Sequence, residues 1–326
     1  MEGEQQTPRH RKRIMLLGAT GTIGRVTARA LLDRGHEVIC FIRSQSSAGE
    51  SETPEDVKAH LNGAIIRVGS VLESASLKEH GFCGEQFDVL VSCLASRTGE
   101  PKDAWAVDYQ AHAHALGVAK DAGARHMVLL SAICVQKPKL AFQQAKLAFE
   151  KELIESGLTY SIVRPTAFFK SLSGQVERVK AGKPYLMFGD GELTACKPIS
   201  DNDLGSYIAD CLDDASLHNR VLPIGGPGDA ITPKEQGEYL FSLLGLEPKF
   251  RKVPPAMLLG IAGVLSVLAR LYPPLAAKAE YARIGHYYAT ESMLVWDEER
   301  QKYSADLTPS TGSDTLFTHY KSLMSD

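Results

Sequence analysis

The chain has 326 residues, of which 44% are hydrophobic and 23% are charged, and its formal net charge is -3. This is the balance of an ordinary globular protein, and a chain of this length can bury a full core without disulfides or metal ions. The slightly acidic balance provides no basic surface for nucleic acid, so we expect no nucleic-acid partner.

The first thirteen residues are polar and end in a basic run, His10–Arg13, which predicts a flexible tail over residues 1–13. A weak contact of this run with anionic lipid is the alternative. No apolar segment of the kind found in signal peptides follows Met1, so secretion is not expected. A transit peptide is not expected either, because a cofactor motif begins a few residues later. These features favour a cytoplasmic protein.

The six cysteines are scattered along the chain and form no Cys-x-x-Cys pair. This spacing gives little support for a zinc ribbon or an iron–sulfur cluster. We therefore expect buried, reduced thiols and no metal site.

A glycine-rich turn lies between a strand and a helix near the start of the chain. The apolar run Ile14–Leu17 predicts a buried strand, and Arg25–Asp33 has helical spacing. Strand, glycine turn and helix in this order are the context that a dinucleotide-binding motif requires. One glycine takes the tight turn, one lets a pyrophosphate approach the backbone and one lets helix and strand pack closely. The predicted cofactor contacts are Gly18, Ala19, Thr20, Gly21, Thr22, Ile23 and Gly24.

The second predicted strand, Glu37–Ile42, indicates which nicotinamide cofactor is used. An acidic residue near the end of this strand binds the ribose 2′-hydroxyl in NAD-preferring enzymes. Here the strand is followed by Arg43 and Ser44. A guanidinium at this place pairs with a 2′-phosphate, so we predict NADPH.

Further strands are predicted at Ala64–Val68, Val89–Cys93 and Met127–Ser131, with helical stretches between them, including Ala104–Ala122. This alternation predicts an α/β fold, a Rossmann-type doubly wound parallel sheet with helices on both faces. Ligands of such sheets bind at the carboxyl ends of the strands. The residues at two of these ends are therefore cofactor candidates: Ser70 and Val71 near the adenine, and Cys93, Leu94 and Ala95 near the nicotinamide ribose.

These motifs together resemble the short-chain dehydrogenase/reductase superfamily, in particular its extended and atypical branches. The resemblance implies a serine at the end of the fifth strand, which is Ser131, and Tyr-x-x-x-Lys on the next helix. Here that motif is Phe142 and Lys146. Lys146 is expected to bind the nicotinamide ribose. Phenylalanine carries no acidic proton, so ordinary carbonyl reduction is not expected. Whether Ser131 contacts the reactants or only satisfies the backbone stays open.

The segments AICVQKP, RPTAFFKSL and ACKPIS, taken together, are similar to the NADPH-dependent divinyl chlorophyllide 8-vinyl reductases. The similarity is strong over residues 12–250 and weaker towards the C-terminus. It implies reduction of the 8-vinyl group of divinyl chlorophyllide or protochlorophyllide to ethyl, with hydride delivered to the terminal vinyl carbon. No oxygen then needs a proton, which agrees with Phe142. The donor to the adjacent carbon stays open between water, Tyr109 and Lys146.

The same resemblance suggests contacts for a flat magnesium tetrapyrrole. Pro165 and Thr166 follow the predicted strand Tyr160–Val163 and are expected near the nicotinamide. Aromatic rings could stack on the macrocycle or fill the core, and lysines could meet its propionate. The candidate substrate contacts are Phe142, Phe168, Phe169, Lys170 and Lys197. No axial ligand for magnesium can be chosen among the ten histidines.

The domain organisation follows from this pattern. Residues 14–170 form the NADP-binding core, and residues 199–227 return to its sheet with a helix start that includes Asp203 and a last strand, Val221–Gly226. Asp203 is interpreted as structural. Residues 171–198 and 228–326 form a smaller substrate-binding lobe.

The apolar stretch Met257–Leu271 is too short to span a bilayer as a typical helix. A buried or lid helix, a contact with a photosynthetic membrane and a dimer interface are the three interpretations.

Two other functions fit the same motifs. An NmrA-type redox sensor and a structural relative, such as the accessory subunit of respiratory complex I, also keep the glycine turn without turnover. A large apolar pocket would favour the reductase, because a sensor needs none. A sugar-nucleotide epimerase is disfavoured by Phe142, and an iron–sulfur flavin enzyme by the scattered cysteines.

Overall fold

The computed structural model describes residues 11–43, 59 and 61–325. The predicted cofactor contact of Ser44 and residues 1–10 of the predicted tail lie outside the described residues. Residues 11–13 belong to the fold, because Arg13 begins the first strand and the Lys12 side chain lies beside the Leu212 carbonyl.

One parallel sheet organises the first two thirds of the chain. Its strands are β1 (Arg13–Leu17), β2 (Glu37–Ile42), β3 (Ile65–Val68), β4 (Val89–Ser92), β5 (His126–Leu130), β6 (Thr159–Pro165) and β8 (Arg220–Ile224). Within the described residues these seven strands are all parallel, in the order β3-β2-β1-β4-β5-β6-β8. The predicted Rossmann-type sheet is confirmed. The strand order reverses between β1 and β4, and this switch point is where ligands of such sheets bind.

Helices cover both faces of this sheet. The longer ones are α1 (Thr22–Asp33), α2 (Pro101–Ala104, a π-helical stretch Trp105–Ala111 and His112–Asp121), α3 (Ala141–Glu155) and α5 (Asp201–Asp210). The short helix α4 (Val176–Lys180) packs instead with the second lobe. Short helical turns are Ser74–Ser76, Leu77–Phe82, Ile133–Gln136, Phe169–Leu172, Ser173–Gln175 and Ala215–Leu217. Because side chains alternate along a strand, Ile14 and Leu16 pack with α1 and α5, whereas Met15 and Leu17 pack with α2 and α3.

A second lobe is built from the segment between β6 and α5 and from the chain that follows β8. Its elements are β7 (Tyr185–Phe188), α6 (Pro233–Leu243), β9 (Phe250–Val253), α7 (Ala256–Leu268), α8 (Leu275–Thr290), β10 (Val295–Asp297), β11 (Lys302–Ser304) and α9 (Leu316–Ser325). Strands β7 and β9 are parallel, and β10 and β11 form a hairpin. The lobe has a core of its own that includes Tyr185, Phe241 and Tyr320.

Asp203 joins the lobe to the sheet, as its structural interpretation predicts. Ser200 caps α5 by accepting a hydrogen bond from the Asp203 amide at 3.0 Å. The Asp203 carboxylate in turn accepts hydrogen bonds from the amides of Ser313 and Asp314, at 3.2 and 3.0 Å. The segment that precedes α9 is therefore fixed to the first turn of α5.

Two buried histidines make the stability of this core depend on pH. Desolvation, followed by the charge of Lys146, lowers the pKa of His112 to about 4. Desolvation, followed by His218, lowers the pKa of His126 to about 3. An unfolded histidine titrates near 6.5, so the unfolded chain binds more protons below that pH. The stability due to the neutral rings is complete above pH 6.5 and is lost as the pH falls.

We expect the urea midpoint of unfolding to fall between about pH 7.5 and about pH 5, with each histidine accounting for up to roughly 2 kcal/mol. The substitution His126→Gln, which can keep the hydrogen bond to Ser161, should remove about half of this dependence. His80→Gln, at an exposed position, is the control and should leave it unchanged. A midpoint that does not move with pH in the native chain would contradict the assignment.

Candidate active site

The three glycines of the turn after β1 have three different surroundings. Gly18 has φ +80°, and a Cβ there would lie 2.6 Å from the carbonyl carbon of Cys93. A Cβ on Gly24 would lie 2.1 Å from the Gly18 oxygen. Gly21 is exposed, and a Cβ there would meet only the Gly18 oxygen, at 3.3 Å. Gly18 thus makes the turn, Gly24 lets α1 pack against it, and Gly21 leaves the backbone open.

The first turn of α1 is suited to an anion. Gly21 is the N-cap residue of α1, and in the described part of the chain no side chain caps this end. The free amides and the helix dipole therefore point at the space above the turn. Arg43 follows β2 and is exposed. Partial desolvation of its guanidinium, followed by the neighbouring Arg97, lowers its pKa. Both features fit a dinucleotide with a 2′-phosphate.

A cavity of about 540 Å³ opens at the carboxyl ends of β4, β5 and β6. The sheet side contributes predicted cofactor and catalytic residues, namely Leu94, Ala95, Ser131, Lys146, Pro165 and Thr166. The lobe side is mainly apolar and includes Phe168, Leu172, Phe188, Leu193, Ile231 and Met293. A volume of this size falls within the roughly 300–1,000 Å³ of small-molecule sites.

Lys146 lies at the cavity as a buried cation because Asp108 neutralises it. The Nζ atom of Lys146 is 2.9 Å from Oδ1 of Asp108, and both side chains are buried. Oδ1 also accepts a hydrogen bond from the Ser96 amide at 3.3 Å. The other oxygen, Oδ2, is buried and has no hydrogen-bond partner within the described residues. Beside the lysine, one carboxylate oxygen is thus buried without a donor.

Ser131 is at the end of β5, as predicted, but its hydroxyl is engaged in a hydrogen bond within the protein. It donates to the buried carboxylate of Glu150, which forms an ion pair with Arg164. The hydroxyl proton of Ser131 is therefore directed into the protein beneath the cavity. This geometry favours a structural role for the hydroxyl over a contact with the reactants.

The remaining cofactor candidates are arranged around the same edge of the sheet. The Cys93 thiol points to Thr27, at 3.8 Å, and burial raises its pKa to about 12. The backbone of Cys93, and not its thiol, lies against Gly18. The Ser70 amide donates to the Ser76 hydroxyl at 2.9 Å, and Val71 is buried.

Five of the catalytic and substrate-contact candidates do not line the cavity. Tyr109 contacts Trp105, and Glu152 raises the pKa of its phenol through a hydrogen bond. Phe142 packs beside Gly99 in a cluster with Ile284. Phe169 is buried in the core of the lobe, with its ring 5.4 Å from that of His319.

The two lysines among these five are also elsewhere. Lys170 is exposed. Lys197 donates to the Thr308 carbonyl at 3.2 Å and the Ser310 hydroxyl at 3.3 Å, so its charge is held by the C-terminal segment. Of the predicted substrate contacts, only Phe168 lines the cavity.

The structure adds residues that the sequence motifs do not indicate. Asp108 is one, and α8 and its C-terminal end contribute Tyr288 and Glu291 to the cavity lining. Glu291 is paired with Lys139 and accepts a hydrogen bond from Tyr303 at 2.5 Å, and these contacts hold its pKa low. The signal for Asp108 was its place on a helix beside the cofactor turn, but nothing local distinguishes it from a solvated carboxylate.

Comparison with known proteins agrees with this geometry. Residues 18–215 match the NAD(P)H-binding family. The leucoanthocyanidin reductase–NADPH complex of Vitis vinifera has the same fold, with a TM-score of 0.69 at 16% identity, over 96% of this chain and 100% of that one. The fold and the glycine turn thus define an NAD(P)H-binding protein of the Rossmann type.

More specific relatives are two plant proteins named divinyl chlorophyllide a 8-vinyl-reductase, chloroplastic. The protein of Cucumis sativus is 52% identical over 96% of this chain and 76% of its own length. The protein of Zea mays is 53% identical over 93% of this chain and 77% of its own length. The chain belongs to the divinyl chlorophyllide a 8-vinyl-reductase family.

The glycines provide a matched test of the turn. Gly21→Ala should fold normally but weaken NADPH binding by about tenfold or more, because the new methyl group stands where a pyrophosphate approaches. Gly24→Ala should instead lower the melting temperature, since its methyl group collides with the Gly18 carbonyl. Thermal melts and a fluorescence titration with NADPH measure both. Wild-type NADPH affinity in Gly21→Ala would show that the cofactor binds elsewhere.

Proposed function

We propose that this chain reduces the 8-vinyl group of 3,8-divinyl chlorophyllide a, or of the corresponding protochlorophyllide, to an ethyl group with NADPH. The observation that carries the proposal is its identity of 51–53% with four proteins named divinyl chlorophyllide a 8-vinyl-reductase. The mainly apolar cavity beside Lys146 supports it, because a sensor that only binds a nucleotide needs no such space. The sensor and the structural relative are therefore disfavoured.

NADPH supplies the hydride, which is delivered to the terminal vinyl carbon. The amides at Gly21 and the first turn of α1 would hold the pyrophosphate, and Arg43 would pair with the 2′-phosphate. Lys146, which Asp108 holds in place at the cavity, would donate to a ribose hydroxyl. Pro165 and Thr166 line the cavity and would form the wall beside the nicotinamide.

Phe168 is the aromatic residue that we assign to the face of the macrocycle, because its partner in the sequence, Phe169, is used in the core. Apolar walls exclude water and strengthen electrostatic interactions inside the site. The ammonium of Lys146 then stabilises the negative charge that spreads into the macrocycle after hydride transfer.

The direct test mixes purified protein, NADPH and divinyl chlorophyllide and separates the pigments by chromatography. We expect a monovinyl product and a blue-shifted Soret band, with little product when NADH replaces NADPH. Lys146→Met should lower turnover by about a hundredfold or more, because it removes the cation that binds the ribose and stabilises charge. Tight NADPH binding without any turnover by the native chain would favour the sensor instead.

We also infer that α7 docks on an anionic lipid surface. No helix in the described part of the chain is both long and apolar enough to cross a bilayer. Yet Val264, Val267 and Leu271 are 62%, 61% and 88% exposed and follow one another at helical spacing. Among the residues of α7 only Ala262 is buried. The helix is held from one side by α8, where Arg283 donates to Ser266 at 2.6 Å.

The charges around α7 favour lipid over a second copy of the chain. Residues 249–283 contain six basic residues and one acidic residue, Glu280. This segment therefore has a formal charge of +5, although the net charge of the whole chain is -3. Glu280 is buried and paired with Arg283. Basic residues that flank an exposed apolar helix attract anionic headgroups, whereas two copies would bring like charges together.

We expect the protein to float with vesicles of phosphatidylcholine and phosphatidylglycerol and not with phosphatidylcholine alone. Val264→Glu combined with Leu271→Glu should abolish flotation, and Ile154→Glu, at an exposed apolar position on α3, should not. A native dimer that the double variant converts to a monomer, with no flotation of either, would identify the surface as a copy interface.

A further inference from the structure

The cavity needs an acid that the sequence motif does not supply. Phe142 has no hydroxyl and does not line the cavity. Several protic side chains that do line the cavity already donate hydrogen bonds to oxygen acceptors. The Ser131 hydroxyl donates to Glu150, and the Thr166 hydroxyl donates to the Lys197 carbonyl. Lys146 is bound to Asp108.

Tyr288 is a phenol in this lining whose proton is held only weakly. Its hydroxyl donates to the Sγ atom of Cys134 at 3.7 Å, and sulfur is a poor acceptor. Tyr288 is 43% exposed, whereas the adjacent Tyr287 is 3% exposed and donates to the Cys134 carbonyl at 2.8 Å. Of the two neighbouring tyrosines, one supports the backbone and the other presents its ring to the cavity.

The position of Tyr288 follows from how α8 packs. Ile284 belongs to the same cluster as Phe142 and approaches Gly99 beside it. Tyr288 follows Ile284 by four residues, so the two side chains share one face of α8. The helix therefore covers Phe142 with an isoleucine and brings a phenol into the cavity one turn later. Lys146 is near enough for its charge to act on the Cys134 thiol.

We propose that the hydroxyl of Tyr288 protonates the carbon adjacent to the one that receives hydride, an assignment that rests on the proposed function. The hydride forms a C–H bond at the terminal vinyl carbon, and the π pair moves to the adjacent carbon and into the macrocycle. The O–H bond of Tyr288 then breaks as the second C–H bond forms. The tyrosinate takes a proton from solvent, so that one vinyl group, one NADPH and one proton give one ethyl group and one NADP⁺.

The environment of Tyr288 suits an acid that stays protonated until it is used. Although part of the Tyr288 side chain is exposed, desolvation of its phenol, followed by the Cys134 thiol, raises the pKa of the phenol well above its usual value. The native rate should therefore be flat with pH from about 6 to about 9.

The test compares Tyr288→Phe with Tyr239→Phe, whose ring stacks on Phe317 in the lobe, outside the cavity lining. Tyr288→Phe should lower the single-turnover rate by about a hundredfold or more. Its affinity for divinyl chlorophyllide without NADPH, read from the Soret band, and its affinity for NADPH should stay within about twofold. Its residual rate should rise as the pH is lowered, because the proton then comes from solvent. Tyr239→Phe should match the native chain throughout.

Each other outcome has a distinct meaning. A native rate in Tyr288→Phe would overturn the assignment and leave the proposed function intact. A loss of pigment affinity that accounts for the whole loss of rate would make Tyr288 a binding residue and would also overturn it. Absence of turnover in the native chain would remove the proposed function and this assignment with it.

Discussion

The ion pair between Lys146 and Asp108 is the interaction on which the cavity depends. A buried ammonium without a partner would lose its proton or remain costly to fold around. The π-helical stretch Trp105–Ala111 contains Asp108 and directs it inwards, and such irregular turns are frequent at functional sites. His112, next in the helix, is fixed by hydrogen bonds to the Ser92 hydroxyl and the Val107 carbonyl, both at 2.9 Å.

A second buried pair, Glu150 with Arg164, lies under the end of β5 and consumes the hydroxyl of Ser131. The two pairs neutralise the floor of the cavity, and the Oδ2 atom of Asp108 is buried there with no hydrogen-bond partner in the described part of the chain. Such a floor tolerates transient negative charge above Lys146. Its own groups are poorly placed to release a proton to carbon, because their hydrogens are held by charged or carbonyl oxygens.

The parts of the fold that depend on local sequence could be predicted. The seven strands of the parallel sheet lie within two residues of their predicted positions, because short apolar runs between turn residues have the length of buried strands. The four strands of the second lobe were not predicted. The glycine turn was predictable because strand, glycine turn and helix follow one another directly, although the close contact of Gly18 is with the distant Cys93. The helix predicted over Ala104–Ala122 is present. Its π-helical stretch was not predicted, because no local pattern in the sequence indicates it.

The site was less predictable because the lobe that closes it is distant in sequence. The hydrogen bonds of Tyr287 and Tyr288 to Cys134 join residues 153 and 154 positions apart. No periodicity reports such contacts. Phe142, Phe168 and Phe169 were equivalent as aromatic residues in the sequence, and only packing separates them into a residue beside Ile284, a cavity residue and a core residue.

Contacts between residues far apart in sequence also explain why the sequence left three interpretations for α7. A helix that is apolar all round is normally buried, and this composition alone could not exclude a core position. The structure has no second layer over it within the described residues, so its outer side chains are exposed. Helix α8 supports α7 through the bond between Arg283 and Ser266 and contributes Tyr288 and, at its C-terminal end, Ala289 to the cavity. One helix therefore connects the apolar surface with the wall of the site.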